Sequence, residues 1–235
     1  MNERVFVNGV GIYPFTSEQE MLNFLDSTKG ILIAINAEKI LHATDQTRDI
    51  INRNIGYCDG IGAVMALKKK GCKDAVQITG YEFWLKIVEA DCHKKTFYLV
   101  GGTQEVIEMT VEKLKIDFPD IQILNYRNGY IRTDEEREAL IVDIIQKKPD
   151  VVFVAMGSPR QELLMEDMYK VHPAIYQGLG GSFDVYTGKV QMIPEWCKKY
   201  HLITPYRIIT QPTPYKIKRF FKSLAFWWNL FLGKY

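Results

Sequence analysis

The chain is poor in the residues that usually announce a metal site or a disulfide framework. Among 235 residues there are four cysteines, at 58, 72, 92 and 197, and four histidines. No two cysteines form a CxxC pair, and no His/Cys cluster has zinc spacing. A reduced, cytoplasmic compartment is the simplest expectation. No Asp-x-Asp stands in a metal-binding context. No long apolar run is present either: Leu224–Trp228 is far short of the ~20 residues a membrane span needs. The start, MNERVFVNGVGIYPF, lacks the basic-then-apolar order of a signal peptide. Nor does a GxGxxG follow a strand, or a catalytic Tyr-x-x-x-Lys sit in a suitable helix, which argues against a Rossmann-type NAD-dependent oxidoreductase.

Acid is absent from one region. Residues 206–235 carry Arg207, Lys216, Lys218, Arg219, Lys222 and Lys234 and no Asp or Glu. The remainder holds 24 basic and 28 acidic residues, so the net charge of +2 conceals an acidic body and a basic tail. Charge of this pattern excludes a general nucleic-acid binder. Pro205, Pro212 and Pro214 punctuate the start of the tail. Ile217, Phe220, Phe221, Leu224, Trp227, Trp228 and Phe231 then recur at spacings of three and four, with Lys216, Lys218, Arg219 and Lys222 on or beside the other face. Two readings fit: a helix lying in a bilayer interface, which adjacent tryptophans and the lack of acid favour, or a helix docked on the core. The expected division is an α/β domain over 1–204 and a basic amphipathic tail over 205–235.

What is present in the body is alternation. Residues 4–14 suggest a small hairpin. Strands are expected at 31–35, 96–100, 121–124, 151–155 and 174–177, and helices at 37–54, 61–70, 104–118, 134–147 and 161–171. Strands that alternate with helices predict a doubly wound, mainly parallel Rossmann-like sheet. An apolar content of 47% fits one globular core.

Val151–Leu164, VVFVAMGSPRQELL, is the most informative stretch. A buried strand is broken by Gly157-Ser158-Pro159, and a helix opens at Gln161. Such a loop leaves backbone N–H groups at a helix N-terminus, aimed at an anion. Other residues hold similar places. Asn36 ends a strand, where turn chemistry is the plain reading and an amide contact to substrate the alternative. Asp59 precedes Gly60 before a helix, and from the residues alone a helix cap is the plainer reading. Gln161 reads first as a first-turn helix residue. Gly101, Gly102 and Gly181 permit close backbone approach to a nucleotide. Asp184 is either a solvated loop carboxylate or an acceptor for ribose or uracil donors.

AINAEK (34–39), YCDGI (57–61), FYLVGG (97–102), VAMGSPRQELLM (154–165), VHP (171–173) and GG-x-x-DV-x-TG-x-V (180–190) occur in one order. In these phrases, over roughly residues 5 to 220, the chain resembles the WecG/TagA/CpsF family of bacterial glycosyltransferases. The resemblance implies an inverting, metal-independent enzyme needing no cofactor. Its donor would be a UDP-sugar, N-acetylmannosaminuronic acid or a related hexose, and its acceptor an undecaprenyl-diphosphate-linked saccharide. The setting would be surface polysaccharide assembly, peripheral on the inner membrane face. It also implies Asp59 as the base; Gln161 and Asn36 join it as candidate catalytic-site residues, with Gly157–Ser158 as candidates for the sugar and diphosphate. Arg207 and its neighbours would supply cation for the diphosphate. UDP-glucose and UDP-N-acetylmannosamine remain alternative donors, and a non-catalytic nucleotide-binding membrane adaptor stays open, as does a homo-oligomer. The pattern departs from the family where most members carry Arg-x-x-Gly-x-Asp-Leu. Here Gln77 and Glu82 replace the Arg and the Asp. Ala34 replaces a Thr that many members have.

Overall fold

The computed structural model describes residues 3–191, 194, 196–197, 206, 209–210 and 224–234. A short antiparallel hairpin, β1 (Val5–Val7) and β2 (Val10–Ile12), comes first. It is followed by α1 (Glu18–Ser27), β3 (Gly30–Ile35), α2 (Ala37–His42), α3 (Asp45–Arg53), β4 (Ile55–Cys58) and α4 (Ile61–Lys69). Then come α5 (Gly80–Asp91), β5 (Thr96–Gly101), α6 (Gln104–Asp117), β6 (Gln122–Arg127), α7 (Asp134–Lys147) and β7 (Val151–Ala155). The last are α8 (Arg160–Val171), β8 (Ile175–Gly178) and α9 (Ser182–Tyr186). The six-stranded sheet is wholly parallel, in the order β4-β3-β8-β7-β5-β6. The doubly wound α/β architecture with an N-terminal hairpin is thus the observed one.

Strand alternation explains why helices cover both faces. Ile31, Ile33 and Ile35 of β3, with Val152 and Val154 of β7, point to one side. There they meet Ile40 of α2, Ile50 of α3, Leu67 of α4, Leu140 of α7 and Met165 of α8. Leu32, Phe97, Leu99, Val151 and Phe153 point to the other side, against Met21 of α1, Trp84 of α5, Leu114 of α6 and Phe183 of α9. Trp84 makes edge contacts with both Phe153 and Phe183 at 5.4 and 5.6 Å between centroids.

Three local departures from the sequence reading have physical causes. The expected single helix over 37–54 is two, because Thr44 stops the first and caps the second: its hydroxyl accepts from Thr47 N at 3.2 Å. The sequence reading places no strand at 55–58, yet β4 forms there as the edge of the sheet, fully buried. It also places no helix after Thr79, and α5 begins there without a side-chain cap from Thr79.

The residues at 224–231 are helical. Phe226 is fully buried and Leu230 nearly so, both in the core cluster that contains α4. Burying one phenylalanine contributes roughly 1.5–3 kcal/mol. Gly62 of α4 makes the room, since a Cβ there would lie 2.9 Å from the Phe226 ring. Lys69, in the last turn of α4, donates to the carbonyls of Leu230 and Phe231 and so satisfies the end of the tail helix. The i, i+4 pair 226/230 faces inward. Leu224, Trp227, Trp228 and Phe231 are exposed, Phe231 by 81%. This helix is therefore apolar on two sides, one docked and one open. Most of the expected tail, including Arg207, Lys216, Ile217, Lys218, Arg219, Phe220, Phe221 and Lys222, lies outside the described residues. Among the described residues no helix is long and apolar enough to cross a membrane.

Candidate active site

A cleft of about 900 Å³ opens at the carboxyl ends of β3, β4, β7 and β8, where parallel α/β sheets bind ligands. Each strand end delivers one group to it: Asn36 after β3, Asp59 after β4, Gly157–Ser158 after β7, and Gly180, Gly181 and Asp184 after β8. Tyr206 and Thr210, from the start of the tail, close one side. Arg207 lies between them in sequence and outside the described residues.

Asp59 is held from two directions. Its backbone N–H donates to Ile35 O at 3.0 Å, which ties the end of β4 to that of β3. Its Oδ1 accepts from Gly80 N, the first residue of α5, at 2.8 Å. The carboxylate thus takes the place a capping side chain would have, and a helix N-terminus favours a negative charge. Gly80 has no side chain to spare: a Cβ there would fall 2.7 Å from Tyr57 Oη and 3.5 Å from Asp59 Oδ1. Gln77 donates to the Asp59 carbonyl at 2.7 Å. Glu82 accepts from the hydroxyls of Thr79 and Tyr81, at 2.5 and 2.8 Å. Gln77 thus braces the turn that presents Asp59, and Glu82 braces the start of α5 that receives the Asp59 carboxylate. The neighbours of Asp59 are kept neutral. Burial, then the Asp59 charge, raises the Tyr57 phenol well above its ordinary range. The same causes push the Cys58 thiol up to about 12, so it is no nucleophile at neutral pH.

Gln161 does what its sequence position does not suggest. Its side chain is buried, and Oε1 accepts from both Gly157 N at 3.1 Å and Gly180 N at 2.9 Å. One amide oxygen thus clamps the loops after β7 and β8 together. Asn36 combines both sequence readings. Its Oδ1 caps α2 by accepting from Lys39 N at 3.1 Å, while its NH₂ group makes no bond to a described residue and borders the cleft. The Asp184 carboxylate is also without a protein partner among the described residues, on the cleft wall.

Gly101 and Gly102 are not brought to the cleft. They pack at the end of β5, where a Cβ on Gly101 would lie 2.3 Å from Ala155 O and one on Gly102 2.7 Å from Val106. Conversely, a buried ion pair on the cleft wall has no counterpart in the sequence reading. Lys39 Nζ meets Glu162 Oε1 at 2.8 Å, with the carboxylate side chain only 4% exposed. The two residues are 123 positions apart. The only hint in the sequence is that each is a charge inside a motif block, NAEK and SPRQE. No group of three or more His, Cys, Asp or Glu among the described residues is placed to hold a metal ion.

The chemistry on offer is a fixed carboxylate beside an amide and a carboxylate that have no partner among the described residues, in a cleft of about 900 Å³. The family model described as Glycosyl transferase WecG/TagA/CpsF family matches residues 7–235. The chain belongs to that family of glycosyltransferases.

Proposed function

We propose that this glycosyltransferase inverts the anomeric centre of a UDP-sugar while moving the sugar to a hydroxyl of an undecaprenyl-diphosphate-linked saccharide. The sugar is N-acetylmannosaminuronic acid or a related hexose, with glucose and N-acetylmannosamine as alternatives, and the pathway builds a bacterial surface polysaccharide. The observation that carries the reading is the Asp59 carboxylate, fixed on Gly80 N–H at the mouth of the cleft. A base there takes the proton of the acceptor hydroxyl. The acceptor oxygen attacks C1 of the donor, the bond from C1 to the β-phosphate oxygen breaks, and UDP leaves with the electron pair. One displacement inverts the centre.

The remaining residues position. Gln161 sets the spacing of the Gly157–Ser158 and Gly180–Gly181 loops, which gives the donor a preformed seat. The Asn36 NH₂ group suits a sugar hydroxyl, and the Asp184 carboxylate suits ribose or uracil donors. Protein cations, Arg207 of the tail among them, carry the diphosphate, so no metal is required. The tail also holds the enzyme peripherally on the inner face of the membrane. Its Trp227, Trp228 and Phe231 are exposed, on the helix whose end carries Lys234 and meets Lys69 of α4, a pairing suited to an anionic interface.

The test is release of UDP from a panel of UDP-sugars in detergent, with and without lipid-linked acceptor. One UDP-sugar should turn over only with acceptor present, and EDTA should leave the rate unchanged. Binding of UDP with no release from any donor would favour an adaptor, and strict need for Mg²⁺ or Mn²⁺ would overturn the metal-independent chemistry. Changing Trp227, Trp228 and Phe231 together to Ser should abolish co-sedimentation with anionic liposomes. Undiminished sedimentation would remove the tail helix from membrane attachment.

A further inference from the structure

Lys39 is the one lysine or arginine among the described residues that line the cleft. Its partner Glu162 is buried, and the second carboxylate oxygen of Glu162 has no hydrogen-bond partner among the described residues. A half-satisfied buried carboxylate is costly, and a buried ion pair adds little net stability. What the pair achieves is placement. Asn36 Oδ1 holds the Lys39 backbone and Glu162 holds the ammonium, so the charge is fixed from both ends. An ammonium has three N–H donors. Glu162 takes one, and no described residue takes the other two. The side chain is 18% exposed, so those donors are reachable from the cleft. The turn that carries Lys39 also adjoins the base: a Cβ on Gly60, next to Asp59, would lie 3.1 Å from Asn36 Cβ.

We propose that Lys39 binds the diphosphate of the donor and stabilises the charge on departing UDP, with Glu162 as its positioning residue. This rests on the glycosyl-transfer reading above. When the C1–O bond breaks, the electron pair settles on the β-phosphate oxygen, and Lys39 meets that charge with N–H donors and gives up no proton. The acceptor proton goes to Asp59. Glu162 balances the ammonium while the cleft is empty, so the cation waits in place without an uncompensated charge.

Calorimetry with UDP and uridine separates this role from a structural one. The full chain would be compared with Lys39→Met, Lys39→Arg, Glu162→Gln and the double variant Lys39→Met/Glu162→Gln. The double variant removes both charges and serves where Lys39→Met alone does not fold. Loss of Lys39 should weaken UDP about tenfold or more, the size of a charged hydrogen bond, and leave uridine unchanged. Lys39→Arg should recover part of the UDP affinity. Glu162→Gln should lower kcat with uridine affinity intact. Equal weakening of UDP and uridine, or unaltered UDP binding, would overturn the proposal. If the wild-type chain binds neither UDP nor uridine, the glycosyl-transfer reading itself fails, and the proposal with it.

Discussion

Two strand ends in one sheet carry a glycine in left-handed backbone: Gly101, closing β5 with φ +144°, and Gly157, just past β7 with φ +78°. Both follow a buried strand and precede a helix, and the sequence suggests a nucleotide contact for Gly101 and a sugar and diphosphate contact for Gly157. Their surroundings differ. Gly101 is pressed on the neighbouring strand, paired with Ala155, and a Cβ would fall 2.3 Å from the Ala155 carbonyl oxygen. Gly157 has no described residue within 4 Å of its Cβ position and borders the cleft. The first glycine is held by packing, and the second borders the cleft. A glycine at a strand end therefore signals a constraint without naming its source, and only the neighbouring strand tells which.

Substitution should separate the two ends most sharply at Gly101. Alanine there meets backbone that cannot yield and a φ that L-residues avoid, so Gly101→Ala should destabilise the fold by roughly 4 kcal/mol. Urea unfolding measures this, and UDP affinity per folded molecule should be unaltered. A variant of normal stability would show that β5 and β7 are less tightly joined at their ends than the geometry requires.

Gln161→Leu tests the opposite end. It leaves Gly157 N–H and Gly180 N–H without their shared acceptor, at a cost of about 2 kcal/mol. Hydrogen exchange should quicken at 157 and 180 and not at 101–102. Uniform quickening would mean that the clamp is global and not local to the cleft. Gly157→Ala should be mildest for stability, about 1 kcal/mol, while turnover drops roughly tenfold through misplacement of the donor. A fall in stability with turnover per folded molecule intact would make Gly157 a packing glycine like Gly101.

The sheet was legible because the strand–helix period is strong: 96–100, 151–155 and their helices stand where alternation puts them. β4 was not, since four residues with a glycine and a cysteine give no period, and its partner β3 decides its fate. The helix over 37–54 looked continuous because Thr44 caps by a side-chain bond that apolar spacing does not register. Several cleft residues could be found from the motif blocks, Asn36, Asp59, Gln161 and Asp184 among them. The role of Gln161 could not, because its two partners are loops brought together only by β7 and β8 pairing. The Lys39–Glu162 pair is hidden for the same reason. In the tail, spacing drew attention to 224, 227, 228 and 231. It passed over the 226/230 pair, which the groove at Gly62 selects.

The central claim, that Asp59 is the base of a glycosyl transfer, is tested most directly by Asp59→Asn. The asparagine still offers an oxygen to Gly80 N–H, so α5 and the cleft should persist, with thermal stability and UDP binding close to wild type. Single-turnover release of UDP from the cognate UDP-sugar with lipid-linked acceptor should fall by about 10²-fold or more. Release at the wild-type rate, with UDP binding intact, would contradict the account and return Asp59 to the role of a helix cap.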